Sequence, residues 1–193
     1  MYPRTAAFAT FLILTILVSV SLARGVSVAA SQSTAMPAPS VPQVALPDSI
    51  HPATLAQLMR GAMFPNSNVI FAASNKNPAD VPPAKRPSAA INPLEGTYGQ
   101  WEAVENASLV IAETASLLSV PGRVCSNGRP VPTNNADWPV FVQGLRNAAM
   151  QSYKAAQAKD QDKILDATDV LTNACSNCHI RYRDKPNLQD RCH

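Results

Sequence analysis

Residues 160–183 read DQDKILDATDVLTNACSNCHIRYR. Within them Ile164, Thr168, Leu171, Cys175, Cys178 and Tyr182 recur at alternating three- and four-residue spacing, which places them along one side of a helix. The run opens near Asp160. Upstream the pattern returns twice. Trp101, Val104, Ser108, Ile111, Ala115 and Leu118 form a seam in a helix expected over about 98–119, starting near Thr97 and stopped by Pro121-Gly122. Trp138, Phe141, Leu145, Ala148, Ser152 and Ala155 form another over about 137–158, opened at Asn135 or Asp137 with Pro139 in the first turn. A further helix is expected over about 50–71, capped by Asp48 or Ser49, with Pro52 in its first turn. The last spans about 160–183.

No segment sustains two-residue alternation, so no sheet is expected. Aromatic residues make up 6% of the chain and alanine is abundant, a composition that suits helices. Helices of about 20 residues, each with one apolar seam, imply an all-α four-helix bundle. The short turn between the last two makes them antiparallel neighbours, and up-down-up-down is the simplest order. The segment 75–93 holds Pro78, Pro82, Pro83, Pro87 and Pro93 and reads as a long surface loop. The bundle domain is expected over 48–184, with a tail at 185–193.

The N-terminal segment reads differently. Arg4 supplies a short basic region, Ala6 to Ala23 is apolar without a charge, and Val28-Ala29-Ala30 offers a cleavage site, with Ser21-Leu22-Ala23 as a second choice. Residues 1–30 are therefore expected to be a signal peptide, or a retained membrane anchor. Residues 31–47, rich in Pro, Ser and Ala, read as a linker. Either reading exports the domain to the periplasm, with membrane association only if the anchor is kept. Two of the three surplus positive charges, Arg4 and Arg24, lie in that segment, and no basic stripe with interleaved aromatics argues for nucleic acid.

Cys175-Ser176-Asn177-Cys178-His179 has the spacing of c-type haem attachment. Two thiols so spaced reach the two vinyl groups of one porphyrin and form thioethers, and the following imidazole becomes the proximal iron ligand. A structural zinc site would need about four ligands, and no second pair with zinc spacing is present. A dithiol redox pair would normally open a helix beside a strand, whereas this motif ends one. The expected cofactor is one covalent haem c per chain.

A C-terminal helix ending Cys175-x-x-Cys178-His179-x-x-Tyr182-Arg183 resembles the class II c-type cytochromes, the cytochrome c-prime group. The resemblance covers 48–184 in architecture and is specific only at the haem motif. It implies a left-handed four-helix bundle with haem near one end. It also gives Arg183 a place near the proximal His179, although a cation at a helix C-terminus is also favoured by the helix dipole. Relatives are often homodimers.

The bundle order gives an expectation for the other face of the iron. His179 lies about four residues, or roughly 6 Å, from its helix end, so the facing residues belong to the first turns of the first helix. Met59 and Met63 lie there, with Arg60 and Phe64 beside them. The resemblance favours Met59, in Leu58-Met59-Arg60, as distal ligand, because low-spin members carry a ligand Met in that context. Met63 is the second candidate, an open sixth site is the third alternative, and core packing is an ordinary use for either methionine. Pro65 is expected to kink or break the helix within 64–68.

Cys125 and Cys192 remain. Each follows a helix end at the same expected pole, and an oxidising compartment would let them bridge. Arg181, Arg183, Lys185 and Arg191, set against Asp184 and Asp190, form either a weakly basic rim that attracts an acidic redox partner or solvated surface. His51 and His193 are expected to be surface bystanders. The expected function is single-electron transfer to a partner protein, without enzymatic activity. The alternative, from the resemblance, is a five-coordinate haem that binds nitric oxide or carbon monoxide. A peroxidase finds no distal His to move protons.

Overall fold

A computed structural model describes residues 51–192. The expected targeting segment and linker, the caps Asp48 and Ser49, and His193 lie outside the described residues. Among the described residues four long helices form an all-α bundle, and extended backbone pairs only at one bridge, Val124 with Pro130.

The first helix joins Leu55–Leu58, a π turn over Met59–Met63, and Phe64–Asn75. It starts later than expected, because Thr54 caps it. The Thr54 hydroxyl accepts from the Gln57 N–H, and the Gln57 side chain accepts from the Thr54 N–H. Pro52 lies ahead of the helix.

Pro65 does not break the helix, which runs on past Phe71 to Asn75. In a regular α-helix its ring would strike the Gly61 carbonyl. The π turn widens the spiral just before it, and the Phe64 N–H reaches back to the Met59 carbonyl instead. The Asn66 side chain donates to the Ala62 carbonyl at 2.7 Å and supplies a partner next to the gap.

The second helix spans Gln100–Leu117. It starts after Thr97 because the chain turns tightly first. A Cβ on Gly99 would lie 2.5 Å from the Leu94 carbonyl oxygen. Gln100 then takes a left-handed φ of 53° and donates to the Val81 carbonyl at 3.1 Å. The Pro-rich stretch before it forms three short 3-10 turns and buries Pro78, Val81 and Leu94 against the bundle.

The third helix spans Trp138–Gln157, with a Pro in its first turn. The fourth spans Gln161–Cys178 and continues as a second π turn, His179–Arg183. Asp160 caps it by accepting from the Lys163 N–H at 3.0 Å.

Hydrogen bonds fix the directions. At one pole the start of the first helix meets the end of the second. The Leu55 N–H donates to the Val124 carbonyl at 2.9 Å, and His51 Nε2 lies 2.9 Å from the Pro121 carbonyl. Buried Arg123 donates to the carbonyls of Leu117 and Ala53. The start of the third helix meets the end of the fourth at the same pole, through Asn135, Asp137 and Tyr182. At the other pole Gln161 donates to the Ala73 carbonyl near the end of the first helix. Successive helices therefore alternate in direction.

The core follows the seams. Val104, Ile111, Ile164 and Leu171 are fully buried, with alanines such as Ala112, Ala149, Ala156 and Ala167 letting the helices close up. The buried hydroxyls of Ser108, Ser152 and Thr168 each donate to the carbonyl four residues back, so none is left unpaired. None of these helices is long and apolar enough to cross a membrane.

Candidate functional site

Where the first helix starts and the fourth ends, the packing leaves a cavity of about 550 Å³. Cys175, Cys178 and His179 line it from the fourth helix, and Met59 and Met63 from the first. Leu145 and Phe141 from the third helix and Ile111 and Leu118 from the second complete a mostly apolar wall. Both π turns of the described chain face this one space. A wider turn rotates the following side chains relative to an α-helix, and such turns recur at functional sites.

Every site residue expected from the motif lies in the wall. Cys175, Cys178 and His179 are half-buried, Tyr182 and Met63 are buried, and Met59 is half-buried. Arg60 and Arg183 are exposed at the rim. Phe64, also at the rim, is largely exposed. His51 is half-buried against the end of the second helix and does not line the cavity.

Burial sets the protonation states. It pushes the Cys175 thiol up, with Arg183 pulling the other way. Cys178 is pushed up to about 11 by burial, with Cys175 and the Asp137 carboxylate adding to it. A dithiol redox pair needs a thiolate stabilised by its surroundings, and here the surroundings do the opposite. Burial also holds His179 below its ordinary value, aided by Arg183 and opposed by Asp184. At neutral pH the imidazole is uncharged, the form that can ligate a metal. Among the described residues no three His, Cys, Asp or Glu side chains converge, so a structural zinc site lacks its ligands.

Tyr182 ties the cavity to the third helix. Its ring packs edge-on against Trp138, centroids 5.1 Å apart, and against Phe141 at 6.2 Å. Its hydroxyl donates to the Asp137 carboxylate and accepts from Asn135 Nδ2 at 3.1 Å. Asp137, expected near the start of the third helix, makes no capping bond, and its carboxylate is used by Tyr182 and by Arg181 at 2.9 Å. Trp138 was legible only as a seam residue. It also lines the cavity, and its buried indole N–H has no partner among the described residues.

Cys125 and Cys192 form a disulfide, Cα atoms 5.0 Å apart. Cys192 borders the cavity, so the bridge fastens the C-terminal tail beside the site. The Cys192 N–H donates to the Tyr182 carbonyl at 2.9 Å. Arg183 pairs with its neighbour Asp184 at 2.7 Å.

No protein-family model, curated protein or solved structure matches this chain.

Proposed function

We propose that this chain is an exported monohaem c-type cytochrome of the class II four-helix kind, passing single electrons through a covalent, His-ligated haem c. One observation carries the reading: a single cavity gathers the Cys175, Cys178 and His179 side chains opposite Met59 and Met63. Its volume lies within the range of about 300–1,000 Å³ usual for cofactor sites.

The wall also suits a macrocycle with an apolar body and carboxylate edges. Leu145, Ile111 and Leu171 supply apolar surface, Arg60 and Arg183 put cations at the rim, and the Trp138 N–H is a buried donor that lacks an acceptor among the described residues. A haem needs only axial ligands from the protein, so the lack of a larger ligand cluster does not count against it.

In this reading Cys175 and Cys178 hold the porphyrin as thioethers and His179 is the proximal ligand. Met59 is the favoured distal ligand and Met63 the second candidate. When bound, haem supplies an iron that alternates between ferrous and ferric states. The protein sets the potential through its axial groups and by excluding water. Tyr182 orients the π turn that carries His179 by anchoring it to Asp137. The domain then works in the periplasm, with a redox protein as its partner.

The test is haem staining on a denaturing gel after production in a host that attaches c-type haem. The full chain is expected to stain, and Cys175→Ala/Cys178→Ala to lose the stain. Persistent staining of the double variant refutes the attachment site, and an unstained full chain refutes the whole reading. Optical spectra with and without carbon monoxide then separate the two modes. A low-spin spectrum insensitive to carbon monoxide supports electron transfer through a closed sixth site. Rapid carbon monoxide binding replaces it with the gas-binding alternative.

A further inference from the structure

A second recess of about 260 Å³ shares Tyr182, Arg191 and Cys192 with the main cavity. Four cationic residues line it: Arg129, Arg181, Lys185 and Arg191. Asp190 is the one acid in its wall. The recess is therefore basic and concave, unlike the apolar cavity beside it.

Three of the four cations are held in place by bonds that leave part of the fork unused. Arg191 Nε donates to the Lys185 carbonyl, and its terminal nitrogens have no partner among the described residues. Arg181 spends Nε on Asp137 at 2.9 Å. Arg129 donates from one terminal nitrogen to the Gln189 carbonyl at 2.7 Å, with Asp190 at 3.8 Å. The Lys185 side chain makes no hydrogen bond or ion pair among the described residues, and the residue is half-buried. The disulfide at Cys125–Cys192 borders the recess and fixes the tail that carries Lys185 and Arg191.

Guanidinium forks anchored at one nitrogen, with the others unspent, are organised in advance for oxyanions. We infer that this recess is a binding site for an oxyanion, a phosphate or a carboxylate. Asp190 offsets Arg129 at 3.8 Å and Asp137 offsets Arg181 at 2.9 Å, which leaves Lys185 and Arg191 as the excess of positive charge. The anion has two sources that share this chemistry: a free small anion, or the acidic side chains of a partner protein. The inference goes beyond the haem reading and does not need it.

Isothermal titration of the purified full chain with inorganic phosphate, and separately with hexaglutamate, tests the site. Saturable one-to-one binding is expected with at least one probe. Phosphate binding identifies the free-anion source, and binding of hexaglutamate alone identifies a partner's carboxylates. Lys185→Ala, which removes no side-chain hydrogen bond or ion pair found among the described residues, is expected to weaken binding about ten-fold. Arg86→Ala, in the Pro-rich segment, is expected to leave it unchanged. No saturable binding of either probe, or equal affinity in wild type and Lys185→Ala, overturns the proposal.

Discussion

The phenol of Tyr182, in the π turn that ends the fourth helix, donates a hydrogen bond to the carboxylate of Asp137, which opens the third. The bond spans 45 residues of sequence and closes one side of the cavity. It also holds the Asp137 carboxyl below its ordinary value, aided by Arg181 and opposed by burial.

This shift has a defined pH consequence. A carboxyl whose folded value lies below its unfolded one contributes stability above the unfolded value, about 3.9, and loses it as pH falls through the folded value. Asp160 and Asp184 are shifted the same way, so Asp137 must be isolated by a difference. The gap in urea midpoint between wild type and Asp137→Asn is expected to be constant from about pH 5 to 7. It should shrink as pH falls below about 4. A gap that persists at pH 2 would contradict the assignment.

Arg123 holds the start of the first helix, and with it Met59. Its buried side chain donates to the Leu117 carbonyl at 3.0 Å and to the Ala53 carbonyl at 2.6 Å. Arg123→Ala leaves both oxygens without this donor and is expected to cost about 2–4 kcal/mol in urea denaturation. Arg123→Lys should recover only part of this, since a single ammonium lacks the fork that serves both oxygens.

The seams of the second, third and fourth helices were readable because burial there follows a regular period. Trp101, Val104, Ser108, Ile111, Ala115 and Leu118 are all buried, as the spacing requires. The first helix was less legible because its period changes midway. A π turn shifts the register between Met59 and Met63, and no residue pattern announces it. Pro65 marked the right place, where the helix does not break but passes through a π turn just before the proline. The Asp137–Tyr182 bond was invisible for another reason. It joins residues from different helices, and each had a sufficient local role, as helix start or as seam.

The disulfide is expected to act mainly on the unfolded chain. It closes a loop with a sequence separation of 67, for which the chain-entropy argument gives about 4 kcal/mol before any strain. Cys125→Ala/Cys192→Ala should lower stability by about 3–4 kcal/mol in urea denaturation. A loss below about 1 kcal/mol would mean that the bonds from Asn127 to the Arg191 carbonyl, at 2.8 Å, and from Arg129 to the Gln189 carbonyl already restrain the same segment.

Pro65 is expected to be a local liability. If its ring forces the π turn, Pro65→Ala allows regular helix and should raise stability by about 1–3 kcal/mol in thermal melts. The same change should turn Met59 and Met63 relative to the cavity, so the optical spectrum of the loaded protein should move with the melting temperature. A gain in stability without any spectral change would show that the π turn is held by the cavity packing and not by the proline.

Met59 and Met63 both line the cavity, yet they differ in exposure, since Met63 is buried and Met59 only half so. A thioether that packs and one that ligates respond differently to Leu, which conserves volume but has no sulfur. Met59→Leu is expected to shift the ferric spectrum from low to high spin and to open the iron to carbon monoxide, with little change in melting temperature. Met63→Leu is expected to keep the low-spin spectrum and cost at most about 1.5 kcal/mol. The reverse pattern would assign ligation to Met63. If neither variant changes the spectrum and the wild type binds carbon monoxide as readily as both, the sixth site is open. The chain is then a gas-binding protein and not an electron carrier.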